Sequence, residues 1–467
     1  MSRQSIRNTS AFYSTILKLS FILFLFTNVL LFYYLYDRDQ PQCLKEGTCR
    51  VSKKPRTLPR EKWGQTVYFN ILLENFWRVN HEWRLAPALN LSSAKISAEL
   101  NCSTLSAVKD LQFVGSGWTK STYKINLNGR ILSLKTVNID GYDISSCLLE
   151  EDRYLYDCYL LVASKLLREI AVLRTISHEN IVKILGYCVP ANPDVQNPQH
   201  TVAIFEEYGE PINVIKLLQL PWEDRLRISL GLSRLLNHLA SFQEPIALND
   251  FRRQQFVIVD GEPKLIDVDD VGLSEPRCDG KPCCSPGLLV ENKTICIPCV
   301  NNVCHGYNEK INIIRTGGHF IKHILPHGAP TSLYFLANKI TTAFQFALLD
   351  ARNILKEMEN LTNAFKSGLY RNRNTSETGF LSGYKTYNFK DVSDDFDYRC
   401  QLTVSGYGCK TSVLDTEEAA EICWSDLKCK AFVVTNITTW TGRRIAKFKK
   451  GIGTPLDNNA TTLFVKL

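Results

Sequence analysis

Two aspartates in the middle of the chain invite a chemical reading. Asp250 follows the apolar run Ile246-Ala247-Leu248 after one polar residue and precedes the basic pair Arg252-Arg253. A carboxylate so placed can take a proton from a hydroxyl nucleophile. Asp267 follows the short strand-like run Pro263-Lys264-Leu265-Ile266. A carboxylate there can hold a hard divalent cation. Taken singly, each is also readable as an ordinary turn aspartate.

Upstream lie residues that could handle phosphates. Gly115 and Gly117 open the stretch GSGWTK, which ends at Lys120. Glycines let a backbone approach phosphate groups closely. Lys135 ends the alternating strand-like run ILSLK, where a lysine needs a partner for its charge. Glu169 lies in Leu160 to Thr175, whose apolar residues Leu166, Ile170 and Leu173 have helical spacing. From there it can pair with Lys135, and its plainer reading is an exposed i, i+4 pair with Lys165. Glu206, in Phe205-Glu206-Glu207, ends a further strand.

In this order and spacing the residues resemble the signature set of protein kinases. That resemblance implies an α+β, two-lobed protein-kinase-like fold. It also implies roles: Lys135 and Glu169 orient the nucleotide phosphates, Asp250 is the base, and Asp267 holds Mg²⁺ (or Mn²⁺) on ATP. Gly115, Gly117, Lys120, Lys135 and Glu206 are then the nucleotide-binding residues. Departures are plain. Leu248 and Asn249 replace the usual His and Arg, and Gln255 replaces an Asn, keeping an amide oxygen as a second metal ligand one methylene further out. Asp269 replaces a Gly and adds a carboxylate. Lys120 stands at the third glycine position, within reach of a phosphate. Asn249 cannot grip a phosphate as arginine does, which implies activity not switched that way.

Longer stretches, among them KLLREIAVLRTISHENIVKILGYC and DFRRQQFVIVDGEPKLIDVDD, resemble the vertebrate lonesome kinase family from about Asn101 to the C-terminus. That resemblance implies a Golgi-lumenal and secreted kinase that phosphorylates tyrosine on secreted and extracellular-matrix proteins. Arg252, two residues after Asp250, agrees with tyrosine specificity. The competing readings are a lumenal pseudokinase that only binds, and a kinase-fold enzyme acting on glycans or small molecules.

The rest of the chain fits such a setting. It has 467 residues and a formal charge of +8, with basic residues scattered rather than striped, so no nucleic-acid partner is expected. The basic run Arg443 to Lys450 reads as a solvated strand face. Leu19 to Leu35 is largely apolar, preceded by Arg3, Arg7 and Lys18 and followed by Asp37 and Asp39. This predicts a membrane signal anchor with the body in the lumen, cleaved or retained. All 16 cysteines and seven Asn-x-Ser/Thr sites lie beyond it, as in a glycosylated, disulfide-bonded chain.

The expected domains are a cytosolic tail (1–15), the anchor (16–36), a lumenal stem (37–100), a kinase domain (101–368), a linker (369–397) and a small disulfide-rich module (398–467). The module resembles PAN/apple domains, with Trp424 and Trp440 as candidate contacts. The kinase domain carries a cysteine-rich insertion at about 278–304. Disulfides are the main expectation there, zinc the lesser one, and Cys147 with Cys158 is a candidate pair.

Overall fold

The structure, a computed structural model, describes residues 100–190, 192–290, 293–368, 379–400 and 408–467. The anchor, nearly all of the stem and the first ten residues of the linker lie outside them. Among the described residues no helix is long and apolar enough to cross a membrane.

The N-terminal part is built on strands. β1 (Gln112–Ser116), β2 (Lys120–Leu127), β3 (Arg130–Val137), β4 (Ile184–Cys188) and β5 (Ala203–Glu207) form one antiparallel sheet in the order β1-β2-β3-β5-β4. Asn128 and Gly129 turn β2 into β3, both at positive φ, 52° and 82°. An Asn-Gly pair suits that two-residue hairpin because both positions need the left-handed conformation. A short helix α1 (Cys102–Ala107) precedes the sheet, and α2 (Tyr142–Cys147) and the long α3 (Leu155–Thr175) follow β3. Strand side chains alternate between faces. Leu132, Leu134 and Phe205 pack with Leu105 of α1, while Val137 and Ile204 pack with Leu166 and Ile170 of α3. Disulfides Cys102–Cys188 and Cys147–Cys158 tie α1 to β4 and α2 to α3.

Helices dominate next. α4 (Trp222–Ala240) is followed by the hairpin of β6 (Phe256–Val259) and β7 (Glu262–Leu265). A disulfide-tied hairpin, β8 (Cys283–Val290) with β9 (Lys293–Ile297), precedes α5 (Tyr307–Thr316), α6 (Thr331–Gln345) and α7 (Ala351–Ser367). One core holds Leu226, Leu235 and Leu239 of α4 with Phe256, Leu265, Phe344 and Met358. The two parts are joined by backbone. Val182 N–H donates to Leu265 O, and Leu265 N–H donates to Asn180 O, each at 2.9 Å. β7 is thereby registered to the chain just beyond α3. This mixed, two-part arrangement agrees with the α+β expectation.

The C-terminal strands β10 (Tyr384–Asp391), β11 (Cys409–Val413), β12 (Ala431–Thr438), β13 (Arg444–Lys449) and β14 (Leu456–Lys466) form a second antiparallel sheet in the order β10-β14-β12-β13-β11, with α8 (Thr416–Ser425) packed on it. Cys400–Cys409 and Cys423–Cys429 are bonded. This sheet is seated on the helices. Thr439 and Thr441 hydroxyls donate to Glu223 of α4, and Trp440 Nε1 donates to the Glu223 carbonyl at 3.2 Å. Trp424 stays half exposed, with Lys466 Nζ 4.5 Å from its ring centre.

The basic run is a solvated face only in part: Arg444 and Lys450 are exposed, but Arg443 and Lys449 are not. Arg443 is 2% exposed and Lys449 is fully buried. Arg443 donates to both Glu418 oxygens at 2.7 and 2.6 Å and to Phe365 O at 3.1 Å, with its guanidinium 4.3 Å from the Phe365 ring centre. Lys449 pairs with Asp397 at 2.5 Å. The sequence pattern identified a strand, but not that helices and loops cover both of these side chains.

Breaking a buried pair leaves a carboxylate uncompensated. Arg443→Met should therefore lower unfolding free energy by roughly 3–5 kcal/mol, read by urea denaturation. A loss of about 1 kcal/mol or less, the size expected of an exposed pair, would contradict this.

Candidate functional site

Lys135 faces α3 from β3, opposite Ile204 of β5. Its ammonium donates to Glu169 Oε1 at 2.9 Å, to Glu206 Oε1 at 3.0 Å, and to the Ile266 carbonyl. Lys120, first residue of β2, reaches the same place. It donates to Glu169 Oε2 at 2.9 Å and Asp267 Oδ1 at 2.7 Å, and lies 3.0 Å from Asp269 Oδ2. Glu169 thus bridges two lysines, one per oxygen. Lys165, the alternative partner for Glu169, pairs instead with Asp143 at 2.7 Å. Glu169 points inward and is 0% exposed, so the surface i, i+4 pair does not form.

Two ammoniums therefore face four carboxylates in a buried setting. Burial opposes the charge on Lys120, but Glu169, Asp267 and Asp269 outweigh it and hold its pKa well above the ordinary lysine value. Burial also opposes the charge on Lys135, where Glu169 and Glu206 prevail and raise the pKa. Burial would lift Asp267, yet the two lysines hold its carboxyl well below the usual range. The remaining carboxylates lack enough cation. Burial pushes Glu206 up to about 7 and Asp269 up to about 6, against the pull of Lys135 and Lys120 respectively. A carboxylate surplus of this kind favours an added cation. Asp267 and Asp269 are hard oxygen donors already gathered around one positive charge, that of Lys120, so this donor set fits a divalent ion.

Beside this cluster lies a small open pocket, lined in part by Asp250, Phe251, Gln255, Asp267 and Asp269. Gln255 Nε2 donates to Asp250 Oδ2 at 2.7 Å, and the Arg252 guanidinium bonds the same oxygen. Ile266 N–H donates to Gln255 O at 2.9 Å, which fixes the Asp250 loop beside the strand leading to Asp267. Leu248 is buried as apolar filling. Asn249 bonds locally, its backbone N–H donating to Asp270 O at 3.2 Å and its Nδ2 to Asp270 Oδ1 at 3.4 Å.

The Gly115–Gly117 stretch runs from the end of β1 into the turn before β2. Gly117 N–H donates to Lys120 O at 2.8 Å, and Asn138 Nδ2 donates to Gly117 O at 2.7 Å. A Cβ at either glycine would meet nothing within 4 Å. Packing within the protein therefore does not demand glycine there, and the space over the turn is open.

The structure brings Lys120, Lys135, Glu169, Glu206 and Asp267 into one cluster, with Asp250 and Gln255 in the adjoining cavity. Sequence reasoning placed Glu206 at a strand end but missed its bond to Lys135. The signal was period-two alternation: Glu206 shares a face with Ile204, opposite Lys135. It also missed the supports of the Asp250 loop. Asn312 Oδ1 accepts from Leu248 N–H at 2.9 Å, Asn312 Nδ2 donates to Ile246 O at 2.7 Å, and Arg315 Nη1 donates to Asn249 O at 3.0 Å. Asn308, Asn312 and Arg315, at helical spacing on one face, were the available hint.

The cysteine-rich insertion carries Cys278–Cys299, Cys283–Cys304 and Cys284–Cys296. The sulfurs of Cys278, Cys283 and Cys304 cluster within 4.8 Å because two disulfides pack together. Bonded sulfurs are not thiolate ligands, so the zinc reading has no support here.

Comparison with known proteins agrees with this geometry. No protein-family model matches the chain. Over 383 residues it is 36% identical to the human (Homo sapiens) extracellular tyrosine-protein kinase PKDCC, covering 81% of this chain and 76% of that protein. Shorter similarities include a probable serine/threonine-protein kinase, PBL28, from Arabidopsis thaliana, 28% identical over 124 residues, 25% of this chain and 31% of that one. PBL16 of the same plant is 32% identical over 107 residues, covering 22% and 24%.

Glu206 gives the cluster a pH signature. Its carboxyl rises from an ordinary 4.5 to about 7 in the folded protein. Between those values the folded protein keeps a proton that the unfolded chain has released. Its contribution to stability is therefore full at low pH and is lost as pH rises through about 7. In nucleotide-free protein, Glu206→Gln should flatten the decline in unfolding free energy between 4.5 and about 7, measured by urea denaturation at fixed ionic strength. Identical pH slopes for parent and variant would contradict the assignment.

Proposed function

The chain belongs to the family of the extracellular tyrosine-protein kinase PKDCC, and we propose from that premise that it transfers the γ-phosphoryl group of ATP to tyrosine on secreted and extracellular-matrix proteins. One observation carries the reading: Lys135, Glu169 and Asp267 share a single buried ionic cluster, with Asp250 in the cavity beside it.

In the proposed reaction the phenolic oxygen of tyrosine attacks the γ-phosphorus. The new O–P bond forms as the bond to the β,γ-bridging oxygen breaks, and ADP leaves. The phenol proton passes to Asp250, whose carboxylate is aimed by Gln255 and Arg252. The buried ammoniums of Lys120 and Lys135 supply positive charge for the phosphates, and the open Gly115–Gly117 turn leaves room for them. Asp267 and Asp269 would hold Mg²⁺, or Mn²⁺, and the Gln255 amide oxygen is the donor left for a second ion. The ion would offset phosphate charge and align the γ-phosphoryl group.

The setting we propose is the Golgi lumen, with residues 16–36 as a type II membrane anchor, and secretion after cleavage as a second form. The seven disulfides among the described residues and the Asn-x-Ser/Thr sites support an oxidising, glycosylating compartment. A binding-only pseudokinase is the second reading. It is favoured by one observation, the Lys120 ammonium seated on Asp267.

Asp250→Asn separates the readings. The variant keeps its shape and should still bind ATP–Mg, read as a nucleotide-dependent thermal shift. Phosphotyrosine formation on secreted proteins should fall about 100-fold or more, equivalent to roughly 3 kcal/mol. Asp267→Ala should lose nucleotide binding as well. A parent protein that binds ATP–Mg and transfers nothing would establish the pseudokinase reading. An Asp250→Asn variant as active as the parent would remove Asp250 as the base.

A further inference from the structure

We propose that Lys120, and not Lys135, is the ammonium that binds the nucleotide phosphates, with Lys135 a positioning residue locked into the protein by Glu206. The inference rests on the kinase reading and divides the work between its two lysines.

An ammonium has three hydrogens to donate. All three on Lys135 are used by the protein, on Glu169, on Glu206 and on the Ile266 carbonyl. Lys135 is 4% exposed and Glu206 is 1% exposed. Turning Lys135 toward a phosphate would leave one of these buried acceptors without its donor, and that is the costly way to lose a hydrogen bond. Glu206 carries full charge when ionised, so it is the worst acceptor to abandon.

Lys120 is differently placed. Its partners are Glu169, Asp267 and Asp269. When Lys120 moves away, Glu169 keeps Lys135. Asp267 and Asp269 are partly exposed, and they are the carboxylates that a divalent ion arriving with ATP would occupy. Exchange of Lys120 for that ion costs Glu169 Oε2 one donor but leaves no carboxylate without a cation, whereas withdrawal of Lys135 would strip Glu206 of its cation. Position agrees. Lys120 begins β2, and its carbonyl is held by the Gly117 N–H of the open glycine turn. Its flexible four-carbon stem lets the ammonium move from carboxylate to phosphate while the backbone stays fixed. Lys135, set in the middle of the sheet between β2 and β5, then keeps Glu169 and α3 in register.

An acyl-phosphate derivative of ATP tests this on the unaltered protein. The lysine nearest the phosphates attacks the acyl carbon, an amide bond forms, the acyl–phosphate bond breaks, and ATP leaves. Peptide mass spectrometry then identifies the acylated residue. The expected result is labelling of Lys120 in excess over Lys135, suppressed by ATP–Mg. Labelling mainly of Lys135, suppressed by ATP–Mg, overturns the proposal and leaves the kinase reading standing. Absence of any ATP-protected labelling, with no nucleotide-dependent thermal shift, overturns both.

Variants test the lock. Lys120→Met should weaken ATP–Mg binding about tenfold or more, and Lys120→Met with Glu206→Leu should recover much of that loss by releasing Lys135 to the phosphates. Unchanged binding by Lys120→Met contradicts the role of Lys120. A folded double variant with no recovery contradicts the lock.

Discussion

Six buried or half-buried charges hold this site together, and they do not balance. Lys120 and Lys135 answer to Glu169, Glu206, Asp267 and Asp269. Removing ions from water is expensive, so the arrangement persists only where each ion keeps partners. This dictates much of the surrounding structure. β2, β3, β5, α3 and the strand leading to Asp267 must all stay in register, because each contributes a member. The surplus of carboxylate also sets the chemistry. Bare triphosphate would be repelled by it, whereas phosphate accompanied by a divalent ion completes it.

Hydrogen bonds carry that register into the helical part. The bonds from Val182 to Leu265 and from Leu265 to Asn180 align β7 with the chain beyond α3. The bond from Ile266 to Gln255 then aligns the Asp250 loop with Asp267. Asn312 and Arg315 brace that loop from α5. Glu275, just before the cysteine-rich insertion, accepts from Gly306 and Asn308 N–H groups at 2.9 and 3.0 Å. The insertion is thus fastened at its base by hydrogen bonds and internally by three disulfides. Its order does not depend on a phosphate held by Asn249.

The local parts of this design were legible in the sequence. Alternation around Lys135 identified β3, and Leu166, Ile170 and Leu173 identified the buried face of α3, because both patterns depend only on near neighbours. Pairings across elements were less accessible. That Lys135 meets Glu206 depends on the β3–β5 register, which no single strand specifies. That Glu169 prefers two distant lysines to Lys165 depends on its burial. The covering of Arg443 and Lys449 was hidden for the same reason: a strand pattern gives a side chain's face but not what docks there. Cys147–Cys158, eleven residues apart, was within reach of local reasoning, whereas the three interleaved pairs of the insertion were not.

The most direct test of the account is a crystal structure of residues 101–467 with Mn²⁺ and a non-hydrolysable ATP analogue, using the anomalous signal of manganese to locate the ion. The expected result is manganese bound by Asp267 and Asp269, with the nucleotide phosphates beneath the Gly115–Gly117 turn and the Lys120 ammonium moved off Asp267 onto them. Manganese absent from these carboxylates at saturating concentration, with Lys120 still bonded to Asp267, would contradict it.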